Sequence, residues 1–205
     1  MDNEVVKIIS NYMTLSDELK QLIDEITVIR NYDKGAILLR EGQMANEKFI
    51  VSKGCIRSYV IDDGEEKTLE FYTEGQSVMP TNYDSGVPSI HYLDCIEDTV
   101  AYVSNSKHEK EMMLKFPQLE SICNMMYKMS DKVLSDCQLS FTDYRTTSAK
   151  DRYLRLFKER PDLIQRVPQY MLASYLGVKP ETLSRIRKRL IRQKQNDLAV
   201  SSKKT

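Results

Sequence analysis

A glycine recurs every 7 to 12 residues through one stretch of the chain, at Gly35, Gly42, Gly54, Gly64, Gly75 and Gly86. The segments between the glycines are short and rich in β-branched, aromatic and other apolar residues. They are Ala36–Leu39, Lys48–Val51, Cys55–Ile61 and Thr68–Tyr72, and Ile90–Ile96 and Thr99–Val103 follow in the same style. Short strands at regular intervals predict a β-sandwich or barrel. Asp62-Asp63-Gly64 is read as a hairpin turn between Ile61 and Glu65, with glycine supplying a positive φ. Ahead of the strands, Ser16–Ile26 reads as a helix. Ser16 is its N-cap, and Leu19, Leu22, Ile23 and Ile26 form its apolar face.

After Val103 the period changes. Pro117 suits the first turn of a helix. Leu119, Cys123, Met126, Ser130, Val133, Cys137, Ser140 and Tyr144 then repeat at alternating spacings of 4 and 3, without Gly or Pro between them. Such a seam needs a partner surface, which points to self-association; packing on its own domain is the alternative. Residues 145–148 read as a junction. Ala149–Glu159 is predicted helical, with Tyr153, Leu154, Leu156 and Phe157 on its apolar side and Pro161 ending it.

The segment Val167–Leu190, VPQYMLASYLGVKPETLSRIRKRL, is the most informative. Leu172, Leu176, Val178, Leu183 and Ile186 fall where two short helices must bury apolar groups against each other. Ala173 falls where the helices approach closely, and Gly177 where the turn favours positive φ. Pro180 fits the first turn of the second helix. Together these positions describe a helix-turn-helix.

Charge says what such a motif would touch. The chain is formally neutral, with 30 basic and 30 acidic residues. Residues 145–205 hold 16 Lys or Arg against 5 Asp or Glu, so the preceding 144 residues carry the opposite imbalance, −11 against +11. A basic C-terminal region points to nucleic acid. Between Arg185 and Lys194 there are six basic residues and no acid. Glu181, Ser184 and Arg185 are the candidate base readers: arginine can donate twice to guanine, and glutamate can accept from cytosine. Thr182, Lys188 and Arg189 are the candidate phosphate contacts.

These residues carry a family resemblance. Tyr32-Asp33-Lys34-Gly35-Ala36-Ile37-Leu38, Glu41-Gly42, Phe49-Ile50-Val51-Ser52-Lys53-Gly54 and the Glu-x-x-Ser-Arg of residues 181–185 resemble the cyclic-AMP receptor protein / fumarate-nitrate reductase regulator (Crp/Fnr) family of bacterial transcription factors. The resemblance implies an α+β chain: an N-terminal eight-stranded jelly roll at 1–107, a dimerisation helix region at 108–145 and a winged helix-turn-helix at 146–205. It implies double-stranded DNA, a second copy of the chain and RNA polymerase as partners, and a cytoplasmic location.

Two departures stand out. Cyclic-nucleotide-binding members carry a phosphate cassette with Gly-Glu and then Arg followed by Ser or Thr. Here residues 74–89 lack it, and no Arg or Lys occurs from Thr68 to Ser106. A cyclic phosphate buried without a cation would be poorly compensated. A pocket for another small molecule, or a vestigial one, is therefore expected, with Arg57, Tyr72, Thr81, Asn82 and Ser89 as its candidate lining. Arg57, as a strand arginine, is otherwise expected on the surface. The second departure is the polar, strand-poor stretch 191–197, which predicts a shortened or absent wing and a basic phosphate-contacting extension.

Other classes are excluded or left with little support. An apolar content of 41% argues against disorder. No run of 18 apolar residues suggests a membrane helix, and MDNEVVKIISNYM does not read as a secretory signal. Cys55, Cys95, Cys123 and Cys137 form no CxxC pair and are read as free thiols. His91 and His108 are read as structural, and no cofactor or metal is expected. No catalytic motif is present, so an enzyme is not expected. The alternatives left open are an interaction module whose basic tail binds RNA or protein, and a cyclic-nucleotide-responsive regulator.

Overall fold

The computed structural model describes residues 3–11, 14–117, 120, 121, 124 and 147–201. The chain forms two compact units, Met1–Glu65 with Leu69–Gln138 and Glu66–Thr68 with Leu139–Thr205. The first begins with helices α1 (Glu4–Ser10) and α2 (Asp17–Ile26). Asn3 caps α1 by accepting from the Val5 amide at 2.9 Å. Ser16 caps α2 as expected, accepting from Leu19 at 3.3 Å.

Eight strands follow: β1 (Val28–Tyr32), β2 (Ile37–Leu39), β3 (Glu47–Lys53), β4 (Ile56–Asp62), β5 (Glu65–Tyr72), β6 (Ser77–Val78), β7 (Tyr92–Cys95) and β8 (Thr99–Asn105). They form two four-stranded sheets in the orders β1-β8-β3-β6 and β2-β7-β4-β5. Sequence-distant strands pair within each sheet, the pattern of a jelly roll. The expected strands are all present. Strands β1 and β6 and helix α1 were not anticipated.

The register explains the unbroken apolar run Phe49-Ile50-Val51. Phe49 lies opposite Val103, Ile50 opposite Tyr102 and Val51 opposite Ala101. Alternate side chains of a strand point to opposite faces. Phe49, Val51, Ala101 and Val103 therefore fill the space between the sheets with Leu39, Ile56, Tyr72, Val78 and Leu93. Ile50 and Tyr102 face outward and join Val5, Ile9, Leu22 and Ile23 of the two helices. Both faces are covered, so this strand shows no polar alternation. Helix α3 (Ser106–Lys115) follows β8 directly, and Met113 and Phe116 pack on the same outer cluster.

The β4–β5 hairpin turns on Asp63 and Gly64, with φ of 50° and 77°. Positive φ at both central residues is the two-residue turn that matches strand twist. Gly54, between β3 and β4, is more constrained. Its φ is +102°, and a Cβ there would lie 2.5 Å from Thr99 Oγ1 and 2.7 Å from Asp98 O.

The second unit contains α4 (Ala149–Glu159), α5 (Pro161–Arg166), α6 (Gln169–Tyr175) and α7 (Pro180–Ser201). Pro161 ends α4 and opens α5 at its first position, where a missing amide costs nothing. Leu163, Leu172, Ala173, Leu176 and Leu183 are buried, forming the core of this unit with Tyr153, Leu156 and Met171. The α7 helix continues through 191–201, where the resemblance implied a wing. The polar stretch 191–197, expected to lack strands, is helical. The seam residues Leu119, Cys123, Met126, Ser130, Val133, Cys137, Ser140 and Tyr144 lie outside the described residues. No helix of the described residues is long and apolar enough to cross a membrane.

Replacing Gly54 by Ala should destabilise the fold by about 2–4 kcal/mol, from left-handed backbone strain plus overlap with Thr99. Gly35→Ala, with φ +85° and nothing within 4 Å, should cost about 1–2 kcal/mol. Urea unfolding of the two variants checks this ordering, and equal losses would refute the steric account.

Candidate functional sites

Helices α6 and α7 are joined by a turn whose details follow from its residues. Leu176 ends α6, and Gly177 takes φ 63°. The amides of Leu176 and Val178 return to Leu172 O and Ala173 O, each at 2.9 Å. Arg152 of α4 was not anticipated in this role. Its Nε and Nη2 donate to Leu176 O at 3.1 and 3.0 Å, and its Nη1 to Thr147 O at 2.7 Å. A guanidinium there satisfies a carbonyl left open at the end of α6 and opposes the negative end of its dipole. Nothing local in the sequence pairs residues 152 and 176.

The buried face of α7 holds Leu183, with Ile186 and Leu190 half-buried. Glu181, Arg185, Lys188 and Arg189 are exposed, while Thr182 and Ser184 are half-buried. Helical spacing stacks Glu181, Arg185 and Lys188 in one line, with Ser184 beside it; Thr182 and Arg189, seven residues apart, share a second line. Among the described residues no carboxylate pairs with Arg185, Lys188, Arg189 or Arg192. Some cations elsewhere are matched: Lys20 with Asp17, Arg30 with Glu47, Arg155 with Glu159 and Arg160 with Asp162.

The second candidate site lies in the connection between β6 and β7. Here the candidate side chains Thr81, Asn82 and Ser89 are occupied with the segment itself. Asn82 Nδ2 donates to Pro88 O at 2.8 Å, and Thr81 Oγ1 lies 3.2 Å from His91 Nδ1. Ser89 Oγ donates to His91 O at 3.0 Å and accepts from the His91 amide at 3.1 Å. Backbone bonds tie the segment to the loop before β3: Gly42 N to Ser89 O at 2.8 Å, Ser89 N to Gln43 O at 2.7 Å and Asp84 N to Ala45 O at 2.9 Å. Burial lowers the His91 pKa, favouring the neutral ring. Burial also pushes the Cys95 thiol up to about 11, which keeps it protonated and unreactive.

Arg57 is corrected from its expected surface position. It is 2% exposed, and its side chain holds Asp94 through two bonds: Nε to Oδ1 at 3.0 Å and Nη2 to Oδ2 at 2.7 Å. The two residues are cross-strand partners of β4 and β7. The guanidinium carbon also stands 4.0 Å from the Tyr59 ring centre. Tyr72 packs in the core between the sheets. The five candidate lining residues are therefore divided: Thr81, Asn82 and Ser89 share one knitted segment, whereas Arg57 holds Asp94 and Tyr72 lies in the core. A concavity of about 470 Å³ lies elsewhere, lined by Leu38, Leu39, Gln43, Met44, Ala45, Asn46, Glu47, Phe49 and Asn105, and none of the five borders it.

A second buried charge cluster was not anticipated. Lys48 Nζ lies 2.9 Å from Glu109 Oε1, with side chains 3% and 7% exposed. Tyr83 donates to Glu109 Oε2 at 2.8 Å. Lys110 and Asp84 pair beside it at 2.6 Å. The β6–β7 connection is thus bonded to α3 through two neighbouring residues on each side.

Residues 29–115 match the family model described as Cyclic nucleotide-binding domain. No curated protein sequence matches the chain. Among solved structures, a CooA variant from Carboxydothermus hydrogenoformans has a TM-score of 0.66 at 18% identity, covering 94% of this chain and 86% of its own. FixK2 from Bradyrhizobium japonicum also reaches 0.66 at 18% identity, covering 82% and 86%. A regulator of the Crp/Fnr family from Eubacterium rectale reaches 0.67 at 17% identity, covering 89% and 88%. At these identities the likeness establishes a shared fold.

Removing Asp94 strands a buried guanidinium. Asp94→Ala should therefore cost about 3–5 kcal/mol, whereas the double replacement Arg57→Met with Asp94→Leu should cost much less. Urea midpoints of the single and double variants decide the matter; a double variant at least as unstable as the single one would contradict it.

Proposed function

We propose that this chain, which has the fold of the Crp/Fnr regulators and matches the cyclic nucleotide-binding domain over residues 29–115, is a homodimeric, sequence-specific DNA-binding transcription regulator. In this reading residues 1–107 are the sensor, 108–145 the dimerisation region and 146–205 a helix-turn-helix DNA-binding domain acting in the cytoplasm. The observation that carries it is the line of exposed, unpaired cations on α7. A solvated helix face would mix signs, and the exposed cations Lys20, Arg30 and Arg155 show that surface charges of this chain can find carboxylates. Glu181, Ser184 and Arg185, near the start of α7, read bases. Thr182, Lys188 and Arg189 take phosphates and set the register. The seam of residues 119–144 brings two copies together, so two α7 helices enter successive major grooves about 34 Å apart. RNA polymerase is the further partner of such a regulator.

The match to the cyclic nucleotide-binding domain favours a second reading, in which a cyclic nucleotide is the effector. The buried cations weigh against it. Lys48 and Arg57 each hold a carboxylate of the chain itself, so a phosphate would have to compete for them. The segment 81–89 accordingly serves another effector or none. Whatever shifts the dimer must bind one arrangement of the DNA-binding domains more tightly than the other.

Changing Arg185 to Ala should cost about 1–3 kcal/mol at one base pair and relax the preference there. Lys188→Ala should weaken all sites alike and reduce the salt slope by about 1. Gel shifts over a set of operator variants at several salt concentrations test both. An unchanged base preference in R185A would remove Arg185 from base reading.

A further inference from the structure

The α7 helix spans 22 residues, about 33 Å at about 1.5 Å per residue. Leu190 is half-buried, and the three residues after it, Ile191, Arg192 and Gln193, are all exposed. At Arg192 the helix has therefore left the core of its unit. A free helical segment shorter than about 12 residues is marginal in water, and charge makes this one worse. Arg185–Arg189 and Lys188–Arg192 are like-charged pairs four residues apart; Arg185–Lys188 and Arg189–Arg192 are three apart. Each such pair opposes helix formation. A dense polyanion would relieve that repulsion.

Direction identifies the polyanion. Glu181, Arg185, Lys188 and Arg192 are spaced 4, 3 and 4 residues apart, so Arg192 continues the line of the base-reading positions. Seven residues separate Arg192 from Arg185, about 10 Å along the axis. The major groove is about 12 Å wide. A straight helix with Arg185 at the base edges thus carries Arg192 out to the groove wall, where phosphates stand and bases do not.

We infer that the C-terminal half of α7 is a phosphate-contacting arm. It occupies the chain position where a wing was implied, and Arg192 is its first contact with the DNA backbone. This rests on the DNA-binding reading above. The arm adds affinity without sequence preference, and its electrostatic share fades with salt.

The test compares the full-length protein with its R192Q variant on duplex DNA carrying an operator and on an unrelated duplex of equal length. Glutamine keeps high helix propensity, so far-UV circular dichroism of the variant should match. Losing one phosphate contact should flatten the slope of log K against log salt by about 0.9, so that the deficit of R192Q shrinks about 3-fold between about 50 and 200 mM salt. The loss should be equal on both duplexes. An unchanged slope would overturn the arm, as would a loss confined to the operator, which would make Arg192 a base reader. A loss seen on an RNA stem-loop but not on DNA would also overturn it. If the unaltered protein binds no duplex DNA, the DNA-binding reading falls as well; if it binds DNA and R192Q is indistinguishable, only the arm does.

Discussion

Glu109 holds together three parts of the N-terminal unit. One carboxylate oxygen takes the ammonium of Lys48 on β3, and the other takes the hydroxyl of Tyr83 in the β6–β7 connection. All three groups are buried. A buried charge left unpaired would cost several kcal/mol, so each member constrains the other two. The consequence is architectural. Helix α3, which leads the chain out of the sandwich, is fastened to the same segment that Asp84 and Lys110 hold from outside. Arg57 and Asp94 repeat the solution across β4 and β7. The positive charge buried in the described part of this unit is thereby answered from within.

Much of the fold was legible because it is local. Glycines marked the turns, short β-rich runs marked most strands, and Ser16 marked the start of α2. The apolar run Phe49-Ile50-Val51 became clear only through the sheets. It is covered by the second sheet on one face and by α1 and α2 on the other. Strand β6 has only two residues and carries no periodic signal. The paired α6 and α7 were legible because Ala173, Gly177 and Leu183 each answer a local geometric demand.

What escaped was long-range charge pairing. Arg57 reads from sequence as a surface strand residue. Only the β4–β7 register, which sets it opposite Asp94, makes its burial affordable. Glu109 looks like one acid in the polar helix SKHEKEMMLK, and nothing local points it toward Lys48, 61 positions earlier. Arg152 likewise finds Leu176 O through tertiary packing. The same limit explains the candidate pocket: composition selects polar groups, but hydrogen bonding decides whether they remain available.

The neutral total of the chain therefore conceals a division of labour. The buried cations of the sandwich, Lys48 and Arg57, are matched by carboxylates, whereas Arg185, Lys188, Arg189 and Arg192 along α7 face outward without such partners among the described residues. On the proposed reading, the acidic body would be repelled by the DNA backbone, which would confine contact to the basic region. The most direct measurement is nuclease footprinting of the full-length protein on genomic fragments, with and without added cyclic AMP. The account predicts protection of an inverted repeat, with half-sites about one helical turn apart, already present without the nucleotide. Absence of any protected repeat would contradict the DNA-binding claim, and protection appearing only with cyclic AMP would contradict the account of the sensor.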